Sequence, residues 1–240
     1  MVEKIRMQDY RLELYSRYAS TQQKFNYDFL SKKQLAWYRH KFPSIFLNLN
    51  PNSSILDLGC GQGHFMEFLK TEGFLNVEGI DISKEQVDIA NSRGINAQIA
   101  DAITFLQSKK ESYDAIIALD VIEHFRKDEL LVLFNEIHNS LRNDGELIIQ
   151  TPNGSGLFPN QVIYGDLTQL TIFTPGSLEQ LLRITGFGDI KFFETGPFQV
   201  DITGSFRLLL WKIIKLVVNL IRLIEVGKQQ DIWTANMICY

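Results

Sequence analysis

The sequence predicts an α/β domain in which helices flank a parallel sheet. Short apolar segments alternate with helical patterns from residue 54 to about residue 150, which is typical of a parallel sheet. A glycine-rich turn separates the first apolar segment from the first helical pattern, where such sheets bind ligands. At 240 residues, the chain is long enough for one such domain with appendages.

Residues 1–50 precede the alternating pattern and are rich in aromatic and charged side chains. We expect them to form a helical cap, and residues 51–240 to form the sheet domain. Seven apolar segments of that domain are strand candidates. They are residues 55–58, 77–80, 97–100, 115–119, 147–150, 189–195 and 232–240.

Capping signals mark the helices between these strands. Ser83, with Gln86 three residues later, predicts a capping box at the start of one helix. Apolar residues recur at helical spacing over 130–141 and run into a turn at 143–145. Thr174, followed by proline, begins a further helix.

Residues 206–226, within a predicted insertion at 204–228, form a long apolar segment with basic interruptions. Its length could span a bilayer, but its charges favour a basic amphipathic helix. The polar residues predicted to share one narrow stripe are Arg207, Lys212, Lys215, Asn219 and Arg222. Three roles stay open: a cap or dimer contact, peripheral contact with an anionic membrane surface, and a membrane span.

The decapeptide LDLGCGQGHF, residues 56–65, predicts the ligand. Alternating glycines at Gly59, Gly61 and Gly63 let the backbone approach a ligand closely, and the next helix presents its N-terminus there. His64 stands where the dinucleotide fingerprint has glycine, and Asp57 would repel a pyrophosphate. An acid beside a helix N-terminus suits a zwitterion, such as the methionine end of S-adenosylmethionine.

Acidic residues follow the next three strand candidates. Asp81, with Ile82 beside it, is placed to accept hydrogen bonds from ribose hydroxyls. Asp101, next to Ala102, either contacts an adenine amino group or caps the following helix. Asp120 would edge the cleft at which the methyl group is transferred.

His124 is the candidate catalytic base, since imidazole titrates near neutral pH. Alternatively, Glu123 and His124 only organise their loop.

The composition of the chain limits the kinds of partner and ligand that we expect. The chain has 24 basic and 28 acidic side chains, a net charge of −4, so no basic field favours nucleic acid. Cys60 and Cys239 have no metal-ligand spacing, and we expect no metal site. With no apolar signal segment at the N-terminus, the expected location is the cytoplasm.

Four motifs in order make the chain resemble class I S-adenosylmethionine-dependent methyltransferases over residues 53–195: LDLGCGQGHF, VEGIDIS, IADAITF and YDAIIALDVIEHF. The resemblance implies a Rossmann-like fold whose seven-stranded, mostly parallel sheet has an antiparallel last strand. It also implies that the loops after the first four strands hold the cofactor. The matching residues are Asp57, Gly59, Gly61 and Gly63 at the methionine end, Asp81 at the ribose, and Asp101 with Ala102 at the adenine.

A narrower resemblance, to bacterial methyltransferases of cell-surface polysaccharide synthesis, rests on four later segments. They are YGDLTQLTIFTPGSLEQLLRITGF, FETGPF, RLLLWKIIKLVVNLIRLIEVG and DIWTANMI. Many of those proteins have Thr-His where this chain has Thr168 and Gln169. Glutamine cannot titrate, so either His124 serves as base or no base is needed. The predicted substrate contacts are Arg17, Tyr18, Asn153, Tyr164, Thr168 and Gln169.

The resulting hypothesis is O-methylation of a sugar hydroxyl on a surface-glycan precursor, free or lipid-linked. The segment 206–226 would then hold the enzyme at the inner membrane face. Two alternatives remain: methylation of a small soluble acceptor, such as a quinone or secondary metabolite, and a protein that binds the cofactor without turnover.

Overall fold

The structure is a computed structural model that describes residues 10–21, 28–43, 49–199 and 201–240. Its centre is a seven-stranded sheet with the order β3-β2-β1-β4-β5-β7-β6. The strands are β1 (Ser54–Leu58), β2 (Asn76–Asp81), β3 (Ala97–Ile99), β4 (Tyr113–Leu119), β5 (Leu141–Pro152), β6 (Phe192–Glu194) and β7 (Asn236–Cys239). All seven predicted strands therefore occur.

The strand directions create the ligand-binding edge. The pairings among β1 to β5 are parallel, whereas β7 runs antiparallel to both of its neighbours, β5 and β6. The predicted antiparallel last strand is confirmed. The chain leaves β1 towards β2 on one side and later returns to β4 on the other. This reversal opens a crevice at the carboxyl ends of β1 and β4.

The described residues contain ten α-helices and a 3₁₀ turn, Ile122–His124. The helices are α1 (Tyr10–Ser16), α2 (Tyr18–Thr21), α3 (Lys32–Lys41), α4 (His64–Thr71), α5 (Lys84–Ser92), α6 (Ala102–Leu106), α7 (Lys127–Ser140), α8 (Asn160–Ile163), α9 (Pro175–Ile184) and α10 (Ile202–Val226). Apolar faces of α4 and α7 are buried in the two separate clusters that form the hydrophobic core.

The turn predicted at residues 143–145 lies inside β5 rather than before it. Tyr113 pairs with Leu141 and Ala115 with Glu146, so several residues of β5 bulge out between two neighbouring pairs. Asp144 has a positive φ of 63° at this irregularity. The turn residues thus bend the strand without ending its pairing.

One of the two predicted caps forms. Thr174 Oγ1 accepts from Ser177 N at 3.3 Å and begins α9. At α5, Ser83 makes no capping bond through its side chain; instead its backbone N–H donates to Asp81 Oδ1 at 2.8 Å. The predicted capping box at Ser83 and Gln86 is wrong because the Ser83 backbone N–H donates to the Asp81 carboxylate and not to the Gln86 side chain.

The N-terminal helices lie against the sheet domain. Arg11 in α1 donates to both carboxylate oxygens of Glu129 in α7, at 3.0 and 2.9 Å, and to the backbone oxygen of His124 at 3.1 Å. Tyr18 in α2 donates to Asp166 Oδ2 at 2.5 Å. The rest of the predicted cap, residues 1–9, 22–27 and 44–48, lies outside the described residues.

Helix α10 turns part of its predicted polar stripe towards the domain. Lys215 Nζ lies 2.9 Å from Glu194 Oε2, and Asn219 Oδ1 accepts from Gln230 N at 2.9 Å. Lys215 and Asn219 thus face the domain, whereas Arg207 and Lys212 of the same stripe are exposed, and large apolar side chains of the opposite face point outward. Within the described part of the chain, no helix has the length and apolar character needed to cross a bilayer.

Candidate active site

A cavity of about 680 Å³ lies at the carboxyl ends of the central strands. It brings together most of the predicted cofactor residues, which lie at or just after the ends of different strands. Those in its wall are Asp57, Gly59, Gly61, Asp81, Ile82, Asp101, Ala102 and Asp120, together with the candidate base His124. Gly63 lies outside the wall, where it caps the N-terminus of α4 with a φ of 77°.

The glycine turn is held tightly against β2. The N–H groups of Gly59 and Cys60 both donate to the backbone oxygen of Ile80, at 2.8 and 2.9 Å. Gly59 has a φ of 73°, and a Cβ atom there would lie 2.4 Å from Val121 Cγ2. Only glycine fits this approach, and these two amides are already bonded within the protein.

Asp57 places an unsatisfied carboxylate oxygen in the cavity. The side chain is buried, and its Oδ2 has no hydrogen-bond partner among the described residues. Burial, and secondarily the nearby Asp81, raises the pKa of Asp57 to about 7. A cation beside Oδ2 would relieve this strain on the buried charge.

Asp81 is oriented by backbone amides. Gly61 N–H donates to its Oδ2 at 2.9 Å, and Ser83 N–H donates to its Oδ1 at 2.8 Å. Burial raises the pKa of this carboxyl while these amides lower it. Each carboxylate oxygen has a second lone pair, so the side chain can still accept from a diol.

Asp101 caps a helix. Its Oδ1 accepts from both the backbone N–H and the hydroxyl of Thr104, at 2.9 and 2.8 Å, at the start of α6. The capping alternative is therefore observed. Asp101 and the apolar Ala102 and Ile103 also line the cavity, and the contact of Asp101 with an adenine stays a prediction.

These residues fit S-adenosylmethionine. The orphaned oxygen of Asp57 suits the ammonium of its methionine end, and the fixed carboxylate of Asp81 suits the ribose hydroxyls. Ile82 adds apolar surface beside them. When bound there, S-adenosylmethionine would supply an electrophilic methyl group on its sulfonium.

Beyond the glycine turn, the cavity wall holds two opposite charges, the buried Lys41 and the solvent-accessible Asp120. Asp120, with a strained φ of 56°, accepts from Gln150 Nε2 at 2.5 Å. Burial lowers the pKa of Lys41 to about 8, whereas the nearby Asp120 raises it. The Lys41 ammonium lies 4.2 Å from the ring centroid of Trp37. Lys41 carries no motif that would have revealed it in the sequence.

Glu123 is a second buried acid in this wall. Thr151 Oγ1 donates to its Oε2 at 3.0 Å, whereas its Oε1 has no partner among the described residues. Burial raises the pKa of Glu123 well above its usual value, and the neighbouring Asp120 adds to the effect. The raised pKa favours the protonated form, in which the carboxyl can donate as well as accept.

His124 is held by hydrogen bonds that select its tautomer. Thr168 Oγ1 donates to Asp166 Oδ1 at 2.6 Å and lies 2.9 Å from His124 Nδ1. Since the hydroxyl has one proton, it must accept from Nδ1–H, which leaves the lone pair of neutral imidazole on Nε2. Burial lowers the pKa of His124, so the ring is neutral at pH 7.

The structure separates the six predicted substrate residues. Tyr18 and Gln169 line the cavity, and Thr168 lies buried behind His124. The other three, Asn153, Arg17 and Tyr164, lie outside the wall, and their contact with a substrate stays a prediction.

Asn153 is fully buried, and its Nδ2 donates to the backbone oxygens of Ile232 and Thr234, at 3.2 and 3.1 Å. Its role is therefore to tie the loop after β5 to the chain before β7. Arg17 is exposed beside Glu13, 3.6 Å away, and Tyr164 is exposed after α8.

Residues that the sequence did not single out complete the cavity. Tyr15 is in the wall, with its ring edge-on to His124 at 6.2 Å between centroids. Asp166 anchors Thr168, and Gln150 and Asn236 lie at the ends of paired strands. The three-residue spacing of Tyr15 and Tyr18 was a usable signal; the others become neighbours only through folding. Across the described part of the chain, no group of His, Cys, Asp or Glu is arranged to hold a metal ion.

A comparison with known families identifies the class. The family described as "Methyltransferase domain" matches residues 29–191, and the chain belongs to this family. With the seven-stranded sheet and the cavity at its strand ends, the predicted class is confirmed: an S-adenosylmethionine-dependent methyltransferase domain with a Rossmann-like fold.

The similar curated proteins have diverse names. Probable tRNA methyltransferase 9B of Homo sapiens is 35% identical over 100 residues, 41% of this chain and 21% of that protein. Cyclopropane mycolic acid synthase 1 of Mycobacterium tuberculosis is 28% identical over 121 residues, 48% of this chain and 41% of that protein. The 18S rRNA (guanine(1575)-N(7))-methyltransferase of Saccharomyces cerevisiae is 31% identical over 115 residues, 43% and 42% of the two chains. The chain thus spans 21 to 42% of the length of these relatives.

Solved structures share the fold. A SAM-dependent methyltransferase from Archaeoglobus fulgidus superposes with a TM-score of 0.63 at 20% identity, covering 87% of this chain and 93% of that one. Phosphoethanolamine N-methyltransferase 2 of Haemonchus contortus, solved in complex with S-adenosyl-L-methionine, gives a TM-score of 0.58 at 17% identity, covering 99% and 58%.

Proposed function

We propose that this protein transfers the methyl group of S-adenosylmethionine to a sugar hydroxyl of a bacterial surface-glycan precursor. The observation that carries the choice of acceptor is a set of buried oxygens without donors in the cavity wall. They are Glu123 Oε1, Gln150 Oε1 and Asn236 Oδ1, each without a hydrogen-bond partner among the described residues.

Buried acceptors of this kind favour a ligand that brings several hydrogen-bond donors. A buried polar atom without a partner costs about 1–3 kcal/mol, and a sugar offers neighbouring hydroxyls that can satisfy more than one of them. When it is protonated, which its raised pKa favours, Glu123 can also donate to a sugar oxygen. The wall therefore matches a polyhydroxyl acceptor better than an apolar ring such as a quinone.

In this proposal, the residues divide the work. Asp57 and Asp81 bind the cofactor, and the oxygen acceptors orient the sugar. His124 Nε2 takes the proton of the attacking hydroxyl, while Thr168 and Asp166 hold the imidazole in the required tautomer. A base so positioned contributes about 10² to 10⁴ in rate.

RNA is the rival acceptor, because two of the similar proteins are named for tRNA or rRNA methylation. The acids Asp57, Asp81, Asp120 and Asp166 in the cavity wall disfavour it, since they would repel phosphates. The proposed location is the cytoplasmic face of the inner membrane, with residues 206–226 in contact with lipid and the glycan precursor carried on a lipid.

The test is methyl transfer from labelled S-adenosylmethionine to four separate acceptors: a lipid-linked oligosaccharide, a free glycan, a quinone and total tRNA. We expect an O-methyl sugar, identified by mass spectrometry of the hydrolysed product, with the first or second acceptor. Label in tRNA or quinone alone would overturn the proposal.

A matched pair of variants separates acceptor from cofactor binding. Asn236→Leu removes one unsatisfied oxygen and should raise KM for the glycan about tenfold, with the affinity for S-adenosylhomocysteine unchanged. Asp57→Asn should weaken that affinity instead.

A further inference from the structure

Helix α10 is amphipathic in the opposite sense from an ordinary surface helix. Lys215, Asn219 and Arg222 of its polar stripe are in contact with the domain. Trp211 Nε1 and Lys215 Nζ both bond Glu194 Oε2, at 3.1 and 2.9 Å, and Lys215 Nζ also donates to the backbone oxygen of Asp231 at 3.0 Å. Further along, Arg222 lies 5.9 Å from the ring centroid of Trp233.

The outward half of α10 is apolar and exposed. It lies on the side away from the Glu194 contact, and large aliphatic side chains occupy successive turns. Leu209, Ile213, Leu216, Val217, Leu220 and Ile224 are among the exposed ones. At about 100° per residue, these positions and their neighbours cover roughly half of the helix circumference. A continuous apolar surface of this size is unusual in contact with water.

The basic residues that do not face the domain lie at the edges of this apolar half. At 3.6 residues per turn, Arg207 and Lys212 fall on opposite sides of the outward face, and both are exposed. Long basic side chains at such edges can reach lipid headgroups while their stems lie along hydrocarbon.

We propose that α10 lies in the plane of a bilayer with its outward half in the hydrocarbon. The inference rests on the membrane contact in the proposed function and specifies it further. The contacting surface is the outward half of α10. The force is burial of apolar side chains, and not attraction of the basic stripe to anionic lipid. Lys215 cannot serve such an attraction because Glu194 already neutralises it.

The width of the apolar half favours lipid over a second copy of the chain. A single partner helix covers a seam of about two residues in seven, which would leave much of this face in water. Hydrocarbon covers any width. A helix of 25 residues lying flat presents about 37 Å of this surface.

The experiment is vesicle flotation of the full chain with pure phosphatidylcholine, and with phosphatidylcholine containing phosphatidylglycerol. We expect binding to both, insensitive to added salt. The variant Leu216→Glu/Leu220→Glu changes side chains that are 73% and 59% exposed, and should lower partitioning at least about tenfold.

The matched control is Leu75→Glu/Ile184→Glu, at side chains 71% and 67% exposed away from α10. It should bind vesicles like the unchanged protein. Because none of these four residues is in the cavity wall, both variants should keep their affinity for S-adenosylhomocysteine, which shows that they are folded.

Three results would overturn the inference: no binding to either vesicle, binding only to anionic vesicles with loss in salt, or equal binding by the two variants. A lipid-free dimer that Leu216→Glu/Leu220→Glu dissociates, without vesicle binding, would make this face an interface between copies. Methyl transfer is measured separately with detergent-dispersed acceptor, so its failure with intact vesicle binding would count against the proposed reaction alone.

Discussion

At the scale of single residues, Asp57 has the clearest chemical consequence. Its buried carboxylate has an oxygen without a partner among the described residues, and burial raises its pKa to about 7. The free protein therefore protonates Asp57 just below neutral pH. A bound ammonium would hold it ionised, so cofactor binding and proton release are linked.

We predict that the affinity for S-adenosylhomocysteine falls as the pH drops below about 7. Below that pH, binding must displace the Asp57 proton, and the loss should approach tenfold per pH unit. Isothermal titration calorimetry across this range measures it. Asp57→Asn should bind about 10- to 100-fold more weakly and lack the dependence; an unchanged slope in that variant would assign the titration to another group.

His124 is the second residue whose chemistry depends on its neighbours. Its Nδ1–H is directed to Thr168, and burial lowers the pKa of the ring. We predict that His124→Gln lowers kcat by about 10² or more with little change in cofactor affinity.

The pH profile of kcat/KM provides the matching test. In the unchanged protein, kcat/KM should rise with pH and reach its plateau at a pH below the ordinary histidine pKa of about 6.5. The reason is that the lowered pKa of His124 keeps the base neutral at that pH. Thr168→Val keeps the imidazole but frees its tautomer, so its loss in kcat should be smaller. Full activity of His124→Gln would show that no base is used.

At the scale of elements, the turns before and after α4 depend on glycine for different reasons. Gly59 and Gly73 both have positive φ, 73° and 93°. A Cβ atom at Gly59 would collide with Val121, whereas one at Gly73 has nothing within 4 Å. The first glycine is needed for conformation and contact, the second for conformation alone.

This difference gives a matched pair of substitutions. Gly73→Ala should lower the free energy of unfolding by about 1–2 kcal/mol, the strain of a left-handed residue. Gly59→Ala adds a displacement of Val121 and should cost about 1–3 kcal/mol more, together with cofactor affinity. Denaturant unfolding and calorimetry check both; equal losses would mean that the Val121 side chain moves aside without cost.

A helix-capping substitution tests α9 in the same way. Thr174 accepts from Ser177 N at the N-terminus of this helix. Thr174→Ala should lower the free energy of unfolding by about 0.5–2 kcal/mol, and Thr174→Ser should recover most of it. Thermal unfolding of the three proteins is the measurement. Equal melting temperatures for all three would show that the cap contributes nothing.

At the scale of the whole molecule, one cavity joins residues from the N-terminal helices to β7. Arg11 in α1, Asp57 in β1 and Asn236 in β7 all line it. A ligand bound there should stabilise these parts together, because it binds the folded state alone.

We therefore predict that S-adenosylhomocysteine at about 100 times its Kd raises the free energy of unfolding by about 2.7 kcal/mol. For a chain of this size, that corresponds to a rise of about 5–10 °C in Tm, measured by scanning fluorimetry. The variant Asp57→Asn, at the same ligand concentration, should show a smaller rise. No rise in the unchanged protein would contradict a cofactor site in this cavity.

The sheet and the cofactor end of the site were predictable from local sequence patterns. Each feature that predicted them is local and can be recognised from a few neighbouring residues. These features are the alternating strand and helix patterns, the glycines of LDLGCGQGHF, and the acids Asp57, Asp81 and Asp101 at strand ends. Their physical causes, strand burial and backbone conformation, act over the same short range. The predicted cap at Ser83 was wrong because the Ser83 backbone N–H donates to Asp81, two residues earlier. The sequence pattern assigned Asp81 only to ligand binding.

The acceptor side of the cavity and the orientation of α10 depend instead on contacts between distant parts of the chain. Lys41, Glu123 and Asn236 become neighbours through pairing between distant strands and helices, which no local pattern encodes. The periodicity of α10 defined a polar and an apolar side, but not which one faces the domain. The half-buried carboxylate of Glu194 on β6 bonds Trp211 and Lys215, and these contacts leave the apolar half facing outward.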